Sequence, residues 1–192
     1  MIKFISQAKL PTRYGEFDIH VFLHHSQEHL VLSKGVFEPK DVVLTRIHSE
    51  CLTGDSLFSL RCDCGPQLQF ALSEISKQDK GLLIYLRQEG RGIGLLEKIK
   101  AYQLQDQGLD TFEANIELGH KADNRNYDML EAVFKHFNVN AINIMTNNPE
   151  KVSAIERSGI VINQRLPITI GHNAHNKKYL QTKRDKFGHF DA

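Results

Sequence analysis

The sequence predicts an α/β fold, one globular unit over residues 1–192 with a β-rich N-terminal part and a mixed sheet flanked by helices. Three observations carry this. Runs rich in β-branched and aromatic residues fill the first fifty positions. Apolar spacing switches to the helical period from Cys64 onward. Two apolar runs after residue 140 bracket a capped helix, the pattern of a βαβ unit with a parallel strand pair.

In chain order, 17–23 and 28–36 read as strands, and Val42–Ile47 as a third that leads into a polar loop. Leu68, Ala71, Leu72 and Ile75 fall on one face of a helix. Gly81–Leu86 is short and wholly apolar, as expected of a strand covered on both faces. A glycine-rich loop, Gln88–Gly94, follows it, and then a helix from about Leu95 that Gly108 closes. Asp123 is read as the N-cap of the next helix, with Tyr127, Leu130, Val133, Phe134 and Phe137 on its apolar face. Ala141–Met145 is a strand. Asn148 caps a helix that begins at Pro149 and stops at Gly159, and Ile160–Ile162 starts a further strand. The polar, basic tail from Gly171 receives no assignment.

Hydrophobic residues make up 41% of the chain, enough for a core, and 24 Lys and Arg nearly cancel 23 Asp and Glu. A net charge of +1 supplies no field for nucleic acid or membrane, so a basic patch must be local and sized for a small anion. With no apolar run of signal or membrane-span length, the expected location is the cytoplasm. Three cysteines in that reducing setting are poor material for disulfides.

Four segments carry chemistry. Cys51, Cys62 and Cys64 fall within 14 residues of one another. Three thiolates suit a zinc ion whose fourth position stays open to water, although the spacing leaves a structural site open as well. The alternative is three buried cysteines acting as small hydrophobes. Their polar surroundings, from His48 through Asp55 and at Arg61 and Asp63, argue against it. The second segment is Arg87–Gly94, where glycines after a buried strand let the backbone approach a ligand, without the Walker pattern. The third is Asp123–Asn126. Capping alone accounts for Asp123, whereas Arg125 in a first helical turn would oppose the helix dipole unless an anion sat nearby. The fourth is Thr146–Lys151, whose hydroxyl, free amides and ammonium could hold a phosphate; a well-capped helix with an exposed lysine fits equally well.

Together these segments resemble the GTP cyclohydrolase II family. The likeness runs through Arg46–Asp55, Arg61–Gly65, Tyr85–Leu95, Ala101–Gly108 and Thr146–Pro149. It implies a GTP cyclohydrolase II-like fold and a zinc-dependent hydrolase that converts GTP to 2,5-diamino-6-hydroxy-4-(5-phosphoribosylamino)pyrimidine. Formate and pyrophosphate are released, in the first step of riboflavin biosynthesis. It implies one zinc per chain on Cys51, Cys62 and Cys64, and magnesium with the substrate triphosphate. It implies GTP contacts at Arg46, Ile47, His48, Ser49, Glu50, Gln67, Glu89, Gly90, Arg91, Thr111, Thr146 and Lys151. Asp123 would be the general base, Arg125 the group that attacks the α-phosphorus, and Tyr102 a neighbour of the reacting ring. A homodimer is the implied assembly.

A guanidinium holds no free lone pair at neutral pH, so clamping phosphate charge is the less demanding role for Arg125. Glu89 can accept from N1–H and the 2-amino group of guanine, a donor pair that adenine lacks. The sequence departs from the family at Asn124 and Asn126, where acids flank the arginine, and at His120, where an aromatic is expected. Those amides support one alternative, a paralogue that binds GTP without turning it over. A related alternative is an enzyme that stops at the formamide, although by the resemblance Tyr102 favours the complete reaction.

Overall fold

The computed structural model describes residues 2–190. Seven strands, counted among those residues, form one mixed sheet in the order β1-β2-β3-β5-β4-β6-β7. The first three are β1 (Ile2–Thr12), β2 (Gly15–His24) and β3 (Gln27–Lys34), which pair antiparallel as a meander. The β2–β3 turn places His25 and Ser26 at φ 47° and 63°, the left-handed pair that matches the strand twist of a two-residue hairpin. β1 carries no strand prediction. It lies at the sheet edge, mostly exposed and without apolar alternation, so its sequence gives little period-2 signal.

β4 (Val42–Ser49), β5 (Gly81–Leu86), β6 (Ala141–Met145) and β7 (Val161–Leu166) make the parallel half, with β5 joining β3 antiparallel. As expected, β5 is covered on both faces. Leu82, Ile84 and Leu86 join Val43, Ile47, Val133 and Phe134 on one side, while Leu83 meets Ala71 and Ile75 on the other. Truncating a fully buried Leu or Phe of this kind to Ala costs about 2–5 kcal/mol.

The helices are α1 (Leu52–Asp55), α2 (Cys64–Ser76), α3 (Gly94–Asp106), α4 (Thr111–Glu117), α5 (Leu130–His136), α6 (Pro149–Arg157) and α7 (Lys177–Phe187). Asn148 caps α6 as expected, its Oδ1 accepting from Glu150 N at 2.9 Å. The helix α4 lacks a prediction, yet its signal is a capping box: Asp110 accepts from Phe112 and Glu113 amides while Glu113 reaches back to Asp110 N. The unassigned tail contains α7.

One expectation is corrected. Asp123 is not a helix N-cap, since α5 starts only at Leu130. Asp123 Oδ1 accepts from Arg125 N at 3.0 Å, and Asn126 Oδ1 from Asp128 N at 2.6 Å. Two successive side-chain turns of this kind compete with helical hydrogen bonding, and residues 121–129 stay irregular. Arg125 therefore opposes no helix dipole. Among the described residues no helix is long and apolar enough to cross a membrane.

Candidate active site

The parallel strands β4, β5 and β6 end on one edge of the sheet, where α/β folds usually place ligands. From those ends run the cysteine segment, the glycine-rich loop and the Thr146–Asn148 turn, and they line one cleft. Within the glycine-rich loop Gly90, Arg91 and Gly92 take φ of 62°, 61° and 89°. A Cβ on Gly92 would sit 2.9 Å from the Asn124 carbonyl oxygen. Glycine there lets the loop close against the Asp123 segment, and Asn124 N donates to Arg91 O at 2.9 Å.

The three thiols converge. All lie within 4.8 Å of one another, the one such cluster of potential metal ligands among the described residues, and Cys51 and Cys62 Sγ are 3.7 Å apart. Two thiolates sharing a tetrahedral zinc at ~2.3 Å would be separated by about 3.8 Å. Gly54 faces them, and a Cβ there would lie 2.8 Å from Cys62 Sγ. The three protons do not leave together. The Cys62 and Cys64 thiols stabilise the Cys51 thiolate, which in turn pushes Cys62 up to about 12 and raises Cys64. A soft divalent cation between them resolves that conflict, so the donor set fits zinc.

Lys98 escapes sequence analysis, being one of two lysines on α3. It is buried, and its Nζ lies 3.2 Å from Cys51 Sγ, 2.9 Å from Thr53 Oγ1 and 2.7 Å from Glu89 Oε1. Burial works against the ammonium, but Cys51, Tyr102 and Glu89 outweigh it and raise its pKa. Glu89 is further held by Leu52 N at 2.6 Å and Gly90 N at 2.8 Å. The Tyr102 hydroxyl is 3.2 Å from Thr53 Oγ1, and the Arg61 guanidinium lies over its ring at 4.8 Å.

A second group is cationic. Arg46 donates to Met145 O at 2.8 Å and to Gln67 Oε1 at 2.7 Å, and burial pulls it down to about 10. Asp123 spans Arg125, with Nε 2.9 Å from Oδ1 and Nη2 2.5 Å from Oδ2. Burial opposes the Arg125 charge, but Tyr127 and Asp123 more than restore it and leave its pKa raised. Lys151 is not exposed: it is 5% accessible and donates to Ile47 O at 2.8 Å. Its pKa falls well below the ordinary value through burial and then through Arg46, Arg125 and Lys183.

Of the residues singled out from sequence, the cleft wall takes Arg46, His48, Ser49, Glu50, Gln67, Glu89, Gly90, Arg91, Tyr102, Thr111, Arg125, Thr146, Lys151 and the three cysteines. Ile47 and Asp123 stay outside it. The Ile47 side chain is core and only its carbonyl reaches Lys151, while Asp123 stands behind Arg125. His48 is turned to Asp55 at 3.0 Å and stacks on Tyr85. Lys98, Tyr179, Lys183 and His189 are among the further wall residues, without a sequence prediction of a role. Asn126 is exposed and bonds Asp128 at 2.8 Å, and Asn124 is exposed too.

Residues 3–167 match the GTP cyclohydrolase II family. A protein named GTP cyclohydrolase-2 from Neisseria meningitidis is 48% identical over 98% of this chain and 96% of its own. Proteins of the same name from Pseudomonas aeruginosa and Colwellia psychrerythraea are 53% and 51% identical over 98% of this chain, and 93% and 94% of theirs. Among solved structures, a two-domain 3,4-dihydroxy-2-butanone 4-phosphate synthase from A. baumannii is similar at a TM-score of 0.45 and 17% identity, covering 86% of this chain and 40% of that one.

Proposed function

The chain belongs to the GTP cyclohydrolase II family, and from that premise we propose that it opens the imidazole ring of GTP and cleaves its triphosphate, yielding formate, pyrophosphate and the diaminopyrimidine that starts riboflavin synthesis. The observation that carries this reading is one cleft lined by both the thiol cluster and the cation group. Ring opening at C8 and phosphoanhydride cleavage are two different chemistries on one molecule, and the two groups suit one each.

Cys51, Cys62 and Cys64 would hold zinc, which supplies Lewis acidity that activates water for ring hydrolysis. Lys98 steadies the Cys51 thiolate and neutralises Glu89 beside it. Glu89 is the candidate reader of guanine, its carboxylate aimed by the Leu52 and Gly90 amides. Tyr102 keeps a hydroxyl near the reacting ring, its proton retained because burial raises its pKa.

Arg125 acts as a clamp on phosphate charge. Its raised pKa leaves no neutral guanidine to attack phosphorus, and the Asp123 carboxylate across Nε and Nη2 fixes the plane of the fork. Magnesium accompanies the triphosphate in this reading, and homodimeric assembly rests on the family resemblance alone. A paralogue that only binds is less well supported, because the exposed Asn124 and Asn126 leave the Asp123–Arg125 pair intact.

Mass spectrometry of the products from GTP, magnesium and zinc-loaded protein is the test. The diaminopyrimidine, formate and pyrophosphate are expected. A formamide product would leave an enzyme that halts after ring opening, and unchanged GTP would leave only binding.

A further inference from the structure

Helix α7 received no role from the sequence, yet it forms one wall of the cleft. Its two faces do different work. Lys178 and Lys186, eight positions apart and so on one face, tie the helix to the rest of the molecule. Lys178 Nζ donates to Gly108 O at 2.5 Å, and Lys186 Nζ pairs with Asp110 at 2.5 Å and Glu113 at 3.0 Å. Tyr179, Lys183 and Phe187 form the other stripe at i, i+4 and i+8. The Arg91 guanidinium lies 3.8 Å from the Phe187 ring centre and 5.9 Å from that of Tyr179. Just past the helix, Phe190 N donates to Asn147 O at 2.8 Å, which leaves His189 in the cleft wall.

Lys183 is 8% accessible. Its Nζ donates to Asp63 Oδ1 at 2.5 Å and lies 4.7 Å from the Tyr179 ring centre. An ammonium has three donors, so the bond to Asp63 leaves others for a ligand. Arg46, Arg91, Arg125, Lys151 and Lys183 all bear on this part of the cleft. Asp63 and Asp123 are each already bound to a cation, Lys183 and Arg125, and Asp55 acts on Arg46 from farther off; Glu50 and Glu89, elsewhere on the wall, pair with Arg87 and Lys98. Arg91 Nη1 and Arg46 Nε are buried without a hydrogen-bond partner. His189 is driven down to about 2 by burial and then by Lys183, Arg125, Lys151 and Arg91. A buried excess of positive charge with unused donors is a site for a polyanion.

We propose that α7 is part of the polyphosphate site, with Lys183 a direct ligand of the substrate phosphates and the Tyr179–Phe187 bracket holding Arg91 in place. This deepens the reading of the cleft as a GTP site and rests on it. Asp63 keeps Lys183 oriented between substrates. The bracket holds the buried Arg91 guanidinium beside Arg125 rather than against Asp123.

The test uses the zinc-loaded full chain and two probes, inorganic tripolyphosphate and guanosine, by calorimetry, with KM and kcat for GTP alongside. Losing one charged hydrogen bond should weaken tripolyphosphate at least about tenfold in Lys183→Met. KM should rise, guanosine affinity should stay level, and Lys183→Arg should recover part of the loss. Lys186 lies outside the cleft wall, its side chain 36% accessible, so Lys186→Met loosens one tether of α7 and should bind tripolyphosphate like the wild type. An unchanged tripolyphosphate affinity in folded Lys183→Met overturns the proposal, as does an equal loss in Lys186→Met, which would reduce α7 to a structural prop. The underlying reading fails separately: a wild type that binds tripolyphosphate through Lys183 but yields no formate from GTP keeps this inference and removes the proposed activity.

Discussion

The thiol cluster and the cation group share a cleft but are assembled in opposite ways. Cys51, Cys62 and Cys64 come from one stretch of 14 residues, folded on itself through α1 and the start of α2. Gly54 and Gly65 permit the close approach, since a Cβ on Gly65 would lie 2.1 Å from the Gly54 oxygen. Lys98, Glu89 and Tyr102 reach in from elsewhere. Arg46, Arg91, Arg125, Lys151 and Lys183 come instead from five separate segments, brought together by the ends of the parallel strands, two loops and a C-terminal helix. The first group is a local motif of three converging thiols whose proposed partner is a cation. The second is a tertiary construction whose members repel one another until an anion arrives.

The largest effect is expected at Arg125, the proposed phosphate clamp. Arg125→Ala should slow pyrophosphate release by about two orders of magnitude, the scale for removing an aligned donor from a charged transition state. Arg125→Lys should stay close to that value, because lysine keeps the charge but not the fork that Asp123 aligns. Initial rates of pyrophosphate release decide it. Near-complete rescue by lysine would make the cation group a diffuse field and blur its contrast with the directional thiol site.

The same contrast decided how much could be read before the structure. The cysteine spacing, the glycine-rich loop and the Asn148–Pro149 start of α6 are local signals, and each stands where expected. The Asp123 cap failed because Asx-type turns at Asp123 and Asn126 use the same residue types as helix caps, and sequence alone does not say which wins. Lys98 was invisible because a buried lysine on a helix looks like an exposed one until its partners are placed. Lys183 and Tyr179 were invisible because their partners, Asp63 and Arg91, are about ninety or more positions away in the chain. The edge strand β1 escaped because pairing on one side imposes little pattern.

A smaller effect concerns protons, and its sign differs between the two groups. Zinc entering the thiol cluster should release protons, since Cys62 and Cys64 hold theirs in the metal-free protein. Tripolyphosphate binding should take protons up. Burial, Arg46, Arg125 and Lys183 depress Lys151 in the free protein, so it is neutral above that lowered pKa. A bound polyanion moves the pKa back toward 10.5, and uptake occurs in the window between the two values. Calorimetry at pH values within that window, in buffers of different ionisation heat, should give up to about one proton taken up per site, lost in Lys151→Met. Proton release with both ligands would erase the distinction.

The central claim is that the two groups carry separable chemistries, and Cys62→Ser tests it most directly. Formate and pyrophosphate are measured together over one time course, with zinc content and GTP binding recorded on the same sample. The variant should lose zinc and formate yet still release pyrophosphate, because Arg125, Asp123, Lys151 and Lys183 are untouched. Equal loss of both products in a folded protein that still binds GTP would contradict the account and point to one ordered reaction that begins at the thiols.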